Sequence, residues 1–224
     1  MRPEETRAKI LAATDYLFGA RGFDATTTRE IAERSGVNKA LIHYHFKSKD
    51  DLLAVLLDSY YDRLTAEMTA ALGRRTEPEE KIEDVVDAYA DFLAKNRTFC
   101  SIVQREVASG RYVERIVERT LPIFRLGTAW LRQIIPHAPT ELELVQVLTS
   151  VYGMVVTYFT FGRVLQQLNG VDPFSPEALE ARRRHVRYVV GILFRELKGK
   201  PKQTSGGETW PCSTRRTPRK KNDS

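Results

Sequence analysis

Between residues 27 and 45 the chain carries two short helical segments, each with its own start signal, separated by a glycine turn. This feature constrains the fold more than any other. Thr27 stands three residues before Glu30, a capping-box spacing in which each side chain satisfies a backbone N–H left unpaired by the first helical turn. Ser35-Gly36-Val37 reads as a tight turn, with Gly36 free to take a positive φ that a Cβ would penalise. Asn38 then caps a second short helix reaching about Tyr44. Ile31 and Ala32, Val37, and Leu41 or Ile42 suit a small shared core. A unit this small cannot stand alone. A preceding helix, expected over about Glu4 to Ala20 with Ile10, Leu11, Thr14, Leu17 and Phe18 on one face, must pack on it. So must the start of the next helix, opened by Ser48 with Asp51 at its third position.

The helical period continues through the rest of the chain, with no internal repeat and no strand-like alternation. Helices are expected from Ser48 to about Leu72, from the Thr76–Pro78 start through Leu93, and over 98–108. Others are expected over 111–135, kinked or broken near Pro122, over 141–168 and over 177–197, with a loop at 136–139. The fold class is therefore all-α, with about nine helices. Three units are expected: a helix-turn-helix domain over 1–50, a second helical domain over 51–198, and a tail over 199–224.

The net charge of +6 suggests nucleic acid, but its distribution weakens that argument. Residues 199–224 hold seven Lys or Arg against Glu208 and Asp223, whereas residues 1–50 hold nine basic against seven acidic side chains. Most of the basicity thus belongs to a Gly-, Pro- and Ser-rich tail with too little apolar surface to order itself. Whether that tail adds attraction to phosphate or is simply solvated is left open by composition. The apolar run Val145–Phe161 is interrupted by Thr149, Ser150, Thr157 and Thr160 and is shorter than the ~20 residues of a membrane span. The opening MRPEETRAKI is charged and precedes no signal core, so a cytoplasmic address with no membrane partner is expected. Cys100 and Cys212 have no metal-ligand spacing, and neither a metal nor a cofactor is expected.

Function is concentrated in residues 26–50, TTTREIAERSGVNKALIHYHFKSKD. With its apolar residues turned inward, the second short helix exposes Lys39, Ala40, His43 and Tyr44, and such a helix fits the major groove of B-DNA. Thr27, Thr28, Tyr44, His45 and Lys49 are donor types that hold phosphates. This stretch resembles the signature of the TetR family of bacterial regulators. Thr27, Arg29, Glu30, Ile31, Ala32, Gly36, Val37, Lys39, Tyr44, Phe46 and the Lys47-Ser48-Lys49 run match it, as do Leu52 and Leu53. Asn38, Ile42-His43 and His45 depart from it, at positions where Ser, Leu-Tyr and Tyr are usual. The resemblance covers about residues 5–55.

The resemblance implies a homodimer whose two recognition helices read a palindromic operator in double-stranded DNA. It further implies a C-terminal domain that binds a small-molecule effector and dimerises through its last two long helices. Carried over by position, Lys39, Ala40 and His43 face bases. Thr27, Thr28, Tyr44, His45 and Lys49 face phosphates, with Arg29 near the backbone or minor groove.

The second domain is rich in aromatic residues that either fill a core or wall a small-molecule site. Phe92, Phe99, Phe124 and Tyr158 are the candidates, with Arg105 as an anion receptor or a structural ion pair. An apolar or amphipathic effector is expected. The helix over 141–168 is apolar around much of its circumference, and with 177–197 it is the expected dimer interface; Gly153 and Gly162 permit close approach. Arg182-Arg183-Arg184 is expected to be a solvated face. Enzymatic activity is not expected. Asp84, Asp87 and Asp91 share helical spacing but read as an exposed face, and His137 or His185 is a base in principle; no Glu-x-x-His pair or nucleophile motif accompanies them. A DNA-binding scaffold without an effector is the remaining alternative.

Overall fold

Pro3 occupies the first turn of a helix, where its missing N–H costs nothing, and α1 (Pro3–Arg21) runs from it to Gly22. The computed structural model describes residues 2–135 and 140–199, which form ten α-helices and no strand. The loop expected at 136–139, His137, Cys212 and the tail from residue 200 lie outside the described residues.

After α1 come α2 (Thr28–Ser35), α3 (Lys39–His45) and the long α4 (Lys49–Gly73). Their starts are set by the expected caps: Thr27 Oγ1 accepts from Glu30 N–H at 3.2 Å, Asn38 Oδ1 from Ala40 N–H at 2.9 Å, and Ser48 Oγ from Asp51 N–H at 3.0 Å. Gly36 ends α2 in the left-handed conformation, with φ 67°. Ile10, Ile31, Ile42, Phe46, Leu52 and Leu53 are all nearly inaccessible, so the two short helices are seated between α1 and the start of α4. Ile42, not the exposed Leu41, is the inward residue of α3. The core continues without interruption to Phe194 near the C-terminus.

The second half consists of α5 (Pro78–Lys95), α6 (Arg97–Ser109), α7 (Val113–Ile134), α8 (Glu141–Thr160), α9 (Gly162–Asn169) and α10 (Pro176–Gly199). Pro122 lies inside α7, which is one continuous helix and is not broken there. The single helix expected over 141–168 is two. At Phe161, φ −92° and ψ 9° turn the chain, and the ring of Phe174 fills the bend so closely that a Cβ on Gly162 would lie 2.4 Å from it. Gly153, by contrast, has nothing within 4 Å of such a Cβ.

Two charge assignments also change. Asp84, Asp87 and Asp91 are not a free carboxylate face: Asp84 pairs with Arg74 at 2.7 Å, Asp87 with Arg187 and Asp91 with Arg183. Arg183 is thereby drawn into the α5–α10 seam. Arg182 is half-buried, donates to the Met154 carbonyl and lies 5.2 Å from the Tyr158 ring, which leaves only Arg184 of the triplet in solvent. Helical spacing placed each of these residues on a face, but their partners lie on other elements, 10 residues away for Asp84, 28 for Arg182 and 92 to 100 for Asp91 and Asp87, beyond the reach of a local pattern.

α8 is also longer than its apolar run suggested. An 18-residue window of its 20 residues has a mean hydropathy of 1.4, so the helix is long and apolar enough to cross a membrane by length and composition, and most of that window is not buried within the chain.

Candidate nucleic-acid interface and interior cavity

The outer surface of α3 carries Lys39, Ala40, His43 and Tyr44, all exposed, with Tyr44 at 79%. His45 is half-buried, with its ring edge-on to Tyr44 at 5.1 Å between centroids. A seven-residue helix gains little from its own hydrogen bonds, so its orientation is fixed by Ile42 beneath it and Phe46 at its end. Phe46 N–H donates to the Ile42 carbonyl at 2.7 Å, and the Arg7 guanidinium sits 5.5 Å from the Phe46 ring.

Residues expected at the phosphates fall into two groups. Thr28 is half-buried at the start of α2, and Arg29 is exposed and reaches Glu33 at 2.9 Å. Thr27, however, spends its hydroxyl on the α2 cap, exchanging hydrogen bonds with Glu30. Those bonds, first the one from the Thr27 backbone, hold the Glu30 carboxyl below its ordinary pKa. Lys49 is more fully engaged. Its ammonium donates to the carbonyls of Phe23 at 2.9 Å and Thr26 at 3.0 Å and lies 4.1 Å from the Phe23 ring centroid. One of its three N–H donors remains for a phosphate. Lys49 is thus a strut across the loop before α2, an interaction spanning more than twenty residues that no motif spacing reveals.

The helix-turn-helix unit is joined to the second half by a set of polar links. Arg105 of α6 donates to the Phe18 and Gly19 carbonyls at 3.1 and 3.3 Å, at the C-terminal end of α1. Arg111 pairs with Asp24 at 2.9 Å, and this hydrogen bond holds Asp24 below its ordinary pKa. Tyr112 donates to Asp50 at 2.6 Å, and Thr98 to Asp15 at 2.7 Å. Glu106 lies at this junction, 4% exposed, with Oε2 unpartnered.

Burial pushes the Glu106 carboxyl above its ordinary value of 4.5, against the opposing charge of Arg111. The folded state therefore holds this proton more tightly than the unfolded state. The resulting stabilisation is complete below pH 4.5 and is lost as pH rises through the higher folded value. Glu106→Gln keeps the neutral form at every pH. It is expected to stabilise the protein at pH 7 by about 1 kcal/mol, a rise in melting temperature of roughly 2–4 °C, with the gain vanishing near pH 4 in a thermal-melt series.

A cavity of about 360 Å³ lies between α4, α5, α6, α7, α8 and α10. Phe99 and Phe124 line it, as expected. Phe92 does not: it is fully buried behind the wall, 5.6 Å from the Phe99 ring. Tyr158 does not either, because its hydroxyl donates to the Pro173 carbonyl at 2.7 Å. Arg105 points away to α1, so the candidate anion receptor is a clamp on the helix-turn-helix unit. Tyr89, Trp130 and Tyr152, further aromatics of these helices that either fill a core or wall a site, line the cavity, and so does Tyr61, which was not among them; the four lie on four helices, and helical period gives a face without saying what it faces. Among the described residues no group of three potential metal ligands converges.

The family profile described as "Bacterial regulatory proteins, tetR family" matches residues 10–56, the span of α1 through the first turns of α4. The chain is 39% identical over 176 residues to the HTH-type transcriptional repressor Rv3405c of Mycobacterium tuberculosis (strain ATCC 25618 / H37Rv), covering 79% of this chain and 84% of that protein. It is 33% identical over 90 residues to the HTH-type transcriptional activator FasR of Mycolicibacterium smegmatis, a match spanning 40% of this chain and 41% of that one. In fold it is similar to the ketosteroid transcriptional regulator KstR2 of Mycobacterium tuberculosis, with a TM-score of 0.66 at 21% identity over 83% of this chain and 93% of that chain.

Proposed function

Because the chain belongs to the TetR family of bacterial helix-turn-helix transcriptional regulators, we propose that it is a cytoplasmic, homodimeric, effector-responsive repressor that binds a palindromic operator. The observation that carries this reading is the seating of α3: Ile42 is buried while Lys39, Ala40, His43 and Tyr44 form an unobstructed outer face. Lys39, Ala40 and His43 read base edges. Thr28, Tyr44, His45 and the remaining donor of Lys49 approach phosphates, with Arg29 near the backbone and Thr27 holding the cap that aims α2. On this division residues 1–50 bind DNA and 51–198 sense and dimerise.

Dimerisation is supported by the concentration of exposed apolar residues on α8–α10. Leu142, Phe161, Leu168, Val171 and Tyr188 are each half exposed or more, and Val164 is 48% exposed. A partner covering them would account for the apolar, largely uncovered side of α8. Repression rather than activation is favoured by the relative that matches over most of its length.

The test uses a duplex selected by the protein from a random-sequence pool. His43→Ala should cost about 1–3 kcal/mol on that duplex and little on unrelated DNA. Tyr44→Phe should weaken both to a similar degree, since a phosphate contact carries no sequence information. Both side chains are exposed, so neither change threatens the fold. Undiminished affinity in the double variant would overturn the assignment. Lys49 is a poor choice for this experiment, because its loss would also release the Phe23–Thr26 loop.

A further inference from the structure

The cavity between α4 and α10 has no charged side chain among its lining residues. Its wall is aliphatic and aromatic, with Leu64, Met68, Leu93 and Val151 typical of it, and 360 Å³ is within the range of small-molecule sites. An ionised group brought into such a space loses its hydration and gains no counter-charge.

The polar groups that are present are neutral and sit together. Tyr89 and Tyr152 stack with centroids 6.4 Å apart, and their hydroxyls have no protein partner among the described residues. Tyr61 accepts from Thr120 Oγ1 at 3.2 Å, which leaves its own O–H to donate. Burial pushes the Tyr61 hydroxyl up to about 12 and the Tyr89 hydroxyl well above its ordinary value, so both remain protonated donors across the physiological range. Tyr89 is half-buried and Tyr152 is 39% exposed, so both hydroxyls are open to hydrogen-bond a polar group that enters the otherwise apolar space.

The mouth has the same character. Of the lining residues, Gln104 and Val107 of α6, Val117 of α7 and Tyr152 of α8 reach solvent, and none of them is charged.

We infer that the effector is an uncharged apolar molecule carrying one hydroxyl or carbonyl group, held by the Tyr61, Tyr89 and Tyr152 hydroxyls. This rests on the effector-responsive reading proposed above and adds the chemical class. It separates the ligand from fatty-acid anions and from the lipophilic cations that an acidic pocket would select.

The chain has two tryptophans, Trp130 in the cavity wall and Trp210, so Trp210→Phe leaves Trp130 as the sole indole reporter. The probes are decan-1-ol, decanoate and decyltrimethylammonium, each kept below its aggregation threshold, which share a chain and differ in charge. Decan-1-ol is expected to shift Trp130 emission with a Kd about tenfold or more below that of either ion. In Tyr89→Phe/Tyr152→Phe its Kd should rise about fivefold, as loss of one or two hydrogen bonds predicts. Equal or tighter binding of an ion overturns the inference. So does an unchanged emission with all three probes, or an unchanged alcohol affinity in the double variant.

Anisotropy of a bound selected duplex separates this from the parent reading. Alcohol that binds at the tyrosines without releasing DNA supports the ligand class and overturns effector control. Release by an ion but not by the alcohol leaves effector control standing and overturns the class.

Discussion

Phe46→Ala is expected to destabilise the protein by about 3–5 kcal/mol and to abolish DNA binding at temperatures where the fold survives. Phe46 is 1% exposed and belongs to the same core as Ile31 and Leu52. Truncation removes most of a large side chain from a site whose walls are three helices joined by tight turns, which cannot collapse into the space. α3 is affected most, because its seven residues hold position only through Ile42 and Phe46. At roughly 2–4 °C per kcal/mol the melting temperature should fall by about 10 °C. Urea unfolding measures the energy, and operator anisotropy the function. Phe46→Leu, which keeps most of the volume, should cost only about 1 kcal/mol and keep DNA binding. Similar costs for Ala and Leu would show that Phe46 does not act through packing.

The parts of the fold readable from sequence are those whose causes are local. The Thr27–Glu30 box, Gly36 and the Asn38 and Ser48 caps each act within four residues, and each begins or ends a helix where expected. The exposed set on α3 is readable for the same reason: once Ile42 faces inward, the period of the helix fixes the remaining face.

What was not readable is set by partners far along the chain. Lys49 looks like a phosphate ligand in its motif, yet it lies against carbonyls 23 and 26 residues away. Arg105 looks like a receptor on an apolar helix, yet it caps α1 across 87 residues. Periodicity identified aromatic faces in the second domain but could not tell a residue inside the wall, such as Phe92, from one on its surface, such as Phe99. The break at Phe161 likewise depends on Phe174, which arrives from a later loop to fill it.

These long-range links bear directly on how a bound molecule would alter DNA affinity, and Gly19 gives the sharpest test. A Cβ there would lie 2.5 Å from Thr98 Cγ2 and 2.9 Å from Thr98 Cβ. Rotating Thr98 offers no relief, because its Cβ is fixed to the α6 backbone and its hydroxyl is bound to Asp15 at 2.7 Å and Tyr60 at 2.8 Å. Gly19→Val should therefore force α1 away from α6 and cost about 3 kcal/mol, the upper part of the usual range for overpacking. Calorimetric melts check the energy. Thr98→Ala removes the opposing methyl, so the double variant should recover about half of it, a non-additivity that a merely weakened α1 would not produce. The functional consequence follows from the position of α6. Phe99, Cys100 and Val103 on this helix line the cavity, while Thr98 and Arg105 hold α1. Separating α1 from α6 should thus leave probe binding at Trp130 intact while weakening its effect on operator affinity. Full coupling in a stable Gly19→Ala variant would mean that the signal reaches α3 by another route, of which the Tyr112–Asp50 link from α7 to α4 is the nearest.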